Sequence, residues 1–176
     1  LGTGGDGLKR YDPVLDTYEY FDGLFASPVS APTDSMYPTA VIFALAPAAD
    51  GSLWVGTSRG AFHFDPRKRT ATPIALNGNA GNSLLGHPVR TITTGPDGDV
   101  WFGMYADGLV RWHPASAGAP ERWEAFRHRS NDPGSLAGDI VLALATDSQQ
   151  RVWIGTTDGV SVFDPANARM QSFRHS

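Results

Sequence analysis

Cysteine is absent from the 176 residues. That excludes disulfides, thiol catalysis and thiolate-held metals, and it leaves the compartment open. No apolar run is long enough to cross a membrane as a helix, and no stretch within these residues reads as a secretory leader, so no direct membrane insertion is expected. Basic charge is also scarce, with 14 Lys and Arg against 18 Asp and Glu and a net charge of -4. The one basic cluster, "PRKR" at 66–69, reads as a solvated turn, so no nucleic-acid partner is expected. Helical periodicity is missing too. No window of a dozen residues sustains an i, i+3, i+4, i+7 apolar pattern, and 20 Gly with 13 Pro argue against long helices.

What is abundant recurs in order. "WVGTSRGAFHFDP" at 54–66, "WFGMYADGLVRWHP" at 101–114 and "WIGTTDGVSVFDP" at 153–165 are three copies of one segment, and "LGTGGDGLKRYDP" at 1–13 is a fourth. Gly2, Gly56, Gly103 and Gly155 align at spacings of 54, 47 and 52 residues. Upstream, "AVIFALAPAADGSLW", "HPVRTITTGPDGDVW" and "DIVLALATDSQQRVW" superpose without a gap. "NAGNSL" at 79–84 and "NDPGSL" at 131–136 precede two of them. Such a period is the mark of a repeat architecture.

The repeat also disposes of a tempting motif. Gly2, Gly4 and Gly7 have the G-x-G-x-x-G spacing of a dinucleotide loop, but that loop needs a strand before it and a helix after it. The other copies place Ser58, Tyr105 and Thr157 where Gly4 stands, so these glycines are turn residues. No cofactor is implied.

Each unit reads as four short strands. The first ("VIFAL", "IVLALA") is β-branched and apolar, as expected of a strand covered on both faces. A turn follows at Asp50-Gly51 and Asp97-Gly98; "SQQR" replaces that pair in the last unit, which predicts a turn of another type there. The second strand carries Trp54, Trp101 or Trp153, expected to pack between units. The third ends at Asp-Pro or His-Pro, where proline lacks the amide to continue a ladder. A fourth is visible in "TYEYF", "RWEAF" and "MQSF". Four strands per unit of about 50 residues is a propeller blade. The expected fold is all-β, a partial β-propeller of about three and a half four-stranded antiparallel blades. The expected boundaries are 1–39 for an incomplete first blade and connector, 40–86 for the second, 87–138 for the third and 139–176 for the fourth. Because the first unit begins after its Trp position, the chain reads as part of a larger propeller. Open blade edges then predict self-association.

The last unit, "IVLALATDSQQRVWIGTTDGVSVFDPANARMQSF" with "NDPGSL" ahead of it, resembles the two-component regulator propeller repeat. The match runs through Val141, Ala143, Leu144, Asp147, Trp153, Ile154, Gly155, Thr156, Gly159, Phe163, Asp164 and Pro165; elsewhere Met104, His113 and Gly95 depart from the pattern. The resemblance implies an extracytoplasmic, periplasmic sensor region of a bacterial histidine kinase or diguanylate cyclase receptor, with a small-molecule or oligosaccharide ligand.

Chemical candidates are few. Asp12, Asp65 and Asp164 share the Asp-Pro slot, where capping a turn explains them. The histidines at 63, 87, 113, 128 and 175 lack metal-ligand spacing, and no hydrolase or zinc-protease motif occurs, so neither a metal site nor catalytic residues are assigned. Three residues remain as ligand-binding candidates. Arg90 stands in a first-strand column that holds Phe43 and Leu142 in the other units, where it either meets a polar ligand or pairs with Asp97 or Asp99. Trp112 and Trp123 lie outside the repeated Trp slot and either stack on sugar rings or join the core. Two further readings stay open: a propeller-type lyase or hydrolase whose catalytic residues lie outside these 176 residues, and a structural dimerisation module.

Overall fold

The computed structural model describes residues 1–2, 7–21, 23–25, 40–75, 84–95, 97–115 and 119–174. Among them there are fourteen strands and no helix. Strands β1 (Leu8–Asp12) and β2 (Thr17–Phe21) form a two-stranded hairpin. Three four-stranded sheets follow: β3 (Ile42–Pro47), β4 (Leu53–Thr57), β5 (Gly60–Asp65) and β6 (Thr70–Pro73); β7 (Val89–Thr94), β8 (Val100–Met104), β9 (Leu109–His113) and β10 (Arg122–Phe126); β11 (Val141–Thr146), β12 (Val152–Thr156), β13 (Gly159–Asp164) and β14 (Arg169–Arg174). In each sheet, sequence neighbours are spatial neighbours. Where the G-x-G-x-x-G reading would need a helix, Gly7 leads straight into β1, and Gly4 lies outside the described residues.

The chain divides into two compact units, one of residues 1–75 and 84–89 and one of residues 76–83 and 90–176. In the first, the β1–β2 hairpin packs on the β3–β6 sheet through Leu8, Phe21, Phe25, Ile42, Val55, Phe62 and Phe64, with Phe21 edge-on to Phe64 at 4.9 Å. In the second, the β7–β10 sheet packs on β11–β14 through Trp101, Leu109, Leu136, Val141, Val152, Ile154 and Phe163, with Phe126 edge-on to Phe163 at 5.4 Å. The two junctions are one junction made twice. A phenylalanine on the last strand of one sheet meets a phenylalanine on the third strand of the next, a geometry worth about 0.5–1.5 kcal/mol beyond the area buried. The period of two along a strand decides which side chains serve. On β13, Ser161 and Phe163 are buried on one face, while on the other Val160 is 39% exposed and Val162 is covered.

The Asp-Pro corners are capped turns. Asp12 Oδ1 accepts the backbone N–H groups of Val14 and Leu15, Asp65 Oδ1 those of Arg67 and Lys68, and Asp164 Oδ1 that of Ala166. Each corner closes with a non-glycine residue in the left-handed region: Asp16 (φ 51°), Arg69 (φ 54°) and Ala168 (φ 54°).

Four expectations need correction. Two of the first strands, β3 and β11, are not covered on both faces, since Leu45 and Leu142 are 38% and 50% exposed. Apolar composition did not distinguish a strand packed on one side from one packed on two. The repeated tryptophans do not share one environment either: Trp101 is buried at 1%, Trp54 is half-buried and Trp153 is 38% exposed. Trp101 stacks on Phe126 of its own sheet and meets Phe163 of the neighbouring one. The turn at "SQQR" is not of another type. Gln150 N–H donates to Asp147 O, and Asp147 N–H to Arg151 O; Gly51 with Ala48 and Gly98 with Gly95 make the same two bonds. Gln150 takes the left-handed φ, 65°, that Gly51 (83°) and Gly98 (80°) take in their sheets. Finally, Trp112 does belong to a repeated column. Its cross-strand partner on the second strand is Val100, as Phe64 pairs with Leu53 and Phe163 with Val152, so it fills the third-strand aromatic slot.

Candidate functional site

Cross-strand register places a different residue opposite each repeated tryptophan: His63 opposite Trp54, Arg111 opposite Trp101 and Val162 opposite Trp153. Around Trp101 this builds a buried ionic cluster. The Arg111 guanidinium lies 4.9 Å from the Trp101 ring and 5.3 Å from Phe163. Its Nε donates to Asp99 Oδ2 at 2.7 Å, while His113 Nδ1 stands 2.9 Å from Asp99 Oδ1. Glu124 Oε2 closes the group at 3.5 Å from Arg111 and 3.4 Å from His113. Asp99 and Arg111 are 4% and 8% exposed. A buried charge pair of this kind is tolerated because each partner is satisfied, and both Asp99 oxygens are engaged.

The equivalent slot in the β3–β6 sheet holds Ser52 and His63, with Oγ 2.6 Å from Nε2 and Asp50 bonded to the same hydroxyl. The Ser52 hydroxyl holds the Asp50 carboxyl below its usual range. This is not a nucleophilic triad. The carboxylate sits on the serine rather than on the other ring nitrogen, and Ser52 is 1% exposed. In the last sheet Trp153 Nε1 donates to Asp147 Oδ2 at 2.8 Å, and Arg151 bonds the same oxygen. The indole N–H first, then Arg151 and the turn amides, hold the Asp147 carboxyl down at about 2. Sequence reasoning missed these slots. The signal was the pair of columns Ser52/Asp99/Arg151 and His63/Arg111/Val162, visible once register is known.

The three ligand-binding candidates do not converge. Trp112 and Trp123 are direct cross-strand partners with ring centroids 5.9 Å apart, both half-buried, and Trp123 also lies 6.3 Å from Phe102. They lie at the end of the β7–β10 sheet where Asp99 sits. Arg90, near the start of β7, lies at the opposite end, its guanidinium 5.2 Å over the Tyr105 ring. The Asp99 carboxylate, one of the partners foreseen for Arg90, is held by Arg111 and His113.

Polar groups do converge elsewhere in the second unit. A cleft of about 410 Å³ is lined by His128, Ala137, Thr157, Asp158 and Arg174. The segment after β10 supplies His128 and Ala137, the β12–β13 turn supplies Thr157 and Asp158, and the end of β14 supplies Arg174. His128 Nδ1 stands 2.8 Å from Leu136 O; a carbonyl only accepts, so Nδ1 carries the proton and Nε2 is the acceptor of the neutral ring. Thr157 Oγ1 donates to Asp158 Oδ2 at 3.1 Å. Arg174 Nη2 donates to Leu136 O at 3.2 Å. Gly138 leaves room for the Asp158 carboxylate, because a β-carbon there would collide with it.

These sheets are blades of a β-propeller: four antiparallel strands in sequence order, repeated with the same corners and the same inter-sheet aromatic pair. The family model of the two-component regulator propeller matches residues 36–59 and 135–158. Histidine kinase P4 of Formosa agariphila is 27% identical over 171 residues, which is 95% of this chain and 11% of the kinase. Among solved structures, the extracellular domain of BT4673 from B. thetaiotaomicron, a proposed one-component system, superposes with a TM-score of 0.68 at 21% identity over 92% of this chain and 19% of that one. The extracellular domain of BT3049 from the same organism, a proposed hybrid two-component system, gives 0.63 at 18% identity over 76% and 18%. The chain thus spans about a tenth of the kinase and a fifth of these structures.

Proposed function

We propose that this chain is a ligand-sensing, non-catalytic propeller segment in the periplasmic region of a bacterial signalling receptor, with a small polar molecule or an oligosaccharide as its ligand. The observation that carries this reading is the family repeat, together with a likeness over nearly the whole chain to extracellular domains of signalling proteins. The chemistry of the residues agrees. The buried Asp99 carboxylate is engaged on both oxygens by Arg111 and His113, which suits a scaffold better than an acid–base pair aimed at a bond. The test is to incubate the chain with a panel of neutral and acidic oligosaccharides, measuring binding by calorimetry and product formation by chromatography. Binding without turnover is the expected result. Turnover abolished by substitution of a residue in this chain would replace the reading with the enzymatic one.

The same reading includes self-association. Phe173 and Tyr11 occupy the fourth-strand and third-strand aromatic slots of the junction that Phe21–Phe64 and Phe126–Phe163 make, and they are 53% and 43% exposed. The face of one copy carrying Phe173 therefore offers the surface that the Tyr11 face of a second copy fits.

A further inference from the structure

We propose that the cleft between His128, Thr157, Asp158 and Arg174 binds a polyhydroxylated carboxylate, such as a uronic-acid unit of an acidic oligosaccharide. The inference deepens the sensor reading by naming the ligand class and its site, and it rests on that reading.

The argument begins with a difference between two repeats. Gly108 and Gly159 are equivalent: both take a positive φ, and each stands over the carbonyl of the last phenylalanine in its sheet, Phe126 or Phe173. The residues before them, Asp107 and Asp158, are therefore equivalent, as are those after the phenylalanines, Arg127 and Arg174. In the β7–β10 sheet the pair is closed, with Arg127 Nη2 2.8 Å from Asp107 Oδ1. In the β11–β14 sheet it is open. Arg174 turns to Leu136 O and Ser135 Oγ, Asp158 turns to Thr157 and stands over Gly138, and both line the cleft without an ion pair between them. The fold holds apart two opposite charges that the sister sheet joins.

The ligand class follows from what faces that space. Arg174 is a permanent cation with N–H groups beyond the one on Leu136 O, and its planar fork matches a carboxylate. The other groups are acceptors on two segments: the Asp158 carboxylate and the lone pairs of Thr157 Oγ1 on the β12–β13 turn, and His128 Nε2 on the segment after β10. A single ammonium presents its donors from one atom. Acceptors on two segments are met by donors on different atoms, as a row of hydroxyls supplies. Four of the five lining residues are polar or charged and the fifth is Ala137, while the carbon atoms of these side chains leave room for the C–H faces of a sugar ring. A volume of about 410 Å³ admits one or two pyranose rings.

The test uses the 176-residue chain and two probes, a trigalacturonate and a neutral galactose trimer, in calorimetric titrations at low salt. The wild type is expected to bind trigalacturonate at least tenfold more tightly than the neutral trimer. Arg174→Met is expected to lose at least tenfold for the acid alone, and Asp158→Asn to weaken both sugars. Far-UV circular dichroism and melting of the variants check that the sheets persist, and Arg122→Met, at the other end of the neighbouring sheet, serves as a charge control. Equal binding of both trimers, an unaffected Arg174→Met variant, no binding of the acid at millimolar concentration, or glutamate competing better than galacturonate would each overturn the assignment. Neutral sugar binding that ignores these substitutions sinks the cleft and keeps the sensor. Hydrolysis of the acid probe with Arg174-dependent binding sinks the sensor and keeps the cleft.

Discussion

Replacing Gln150 by glycine should stabilise the protein, although it removes a side chain and adds none. Gln150 holds a left-handed backbone at φ 65°, and the sister turns fill that position with Gly51 and Gly98 while making the same two backbone bonds. A β-carbon in that region costs about 1–2 kcal/mol. Glycine returns roughly 0.5–1 kcal/mol of this through the extra freedom of the unfolded chain. The net gain is about 0.5–1 kcal/mol, or about 1–4 °C in Tm for a chain of this length. The Gln150 side chain is exposed, so no packing loss offsets the gain. The turn tolerates glutamine because it is held from outside: Asp147 Oδ1 accepts the N–H groups of Gln149 and Arg151. Position 95 of the sister turn is a glycine and offers no such carboxylate. Gly98→Gln should therefore cost at least as much as Gln150→Gly gains. Urea denaturation and calorimetric melting of the two variants measure both. A lower Tm for Gln150→Gly, or an unchanged one for Gly98→Gln, would refute the reasoning.

Other expectations follow from the same geometry. Arg111→Met leaves Asp99 buried without its guanidinium and should cost about 3–5 kcal/mol in urea denaturation. The double change Asp99→Ser with Arg111→His installs the Ser52–His63 pair of the sister sheet and should recover part of that loss. A double variant no better than Arg111→Met would show that the slots are not interchangeable. For Asp147 the folded carboxyl lies at about 2, below its ordinary 3.8, so its stabilising contribution is present above pH 3.8 and lost as pH falls toward 2. The stability gap between wild type and Asp147→Asn should therefore be open at pH 5 and close near pH 2; a gap that stays constant across that window contradicts the assignment. Light scattering at increasing concentration should show wild-type self-association that Phe173→Glu abolishes, and a monodisperse wild-type monomer would remove the proposal.

How far the sequence is legible depends on whether a feature is written along the strand or across strands. Corners are written along it. Asp12, Asp65 and Asp164 stand beside prolines at chain breaks, and each caps its turn as that spacing requires. Strand order was equally readable, because four short strands joined by tight turns leave each strand only its sequence neighbours to pair with. Strand β6, "TATP", escaped notice because it lacks the aromatic that marks β2, β10 and β14. Register across strands is a different matter. That Arg111 sits opposite Trp101 and reaches Asp99 depends on a pairing that composition leaves free by one residue, and a slip of one would turn Arg111 to the other face. The cleft lies one step further from the sequence. Asp107 and Asp158, or Arg127 and Arg174, are identical residues in identical columns, yet one pair closes at 2.8 Å and the other lines a cavity. The difference comes from the neighbours: Leu136 O and Ser135 Oγ engage Arg174, and Gly138 leaves room for the Asp158 carboxylate. A repeat therefore announces its scaffold by what recurs, while its sites lie where identical residues are given different partners.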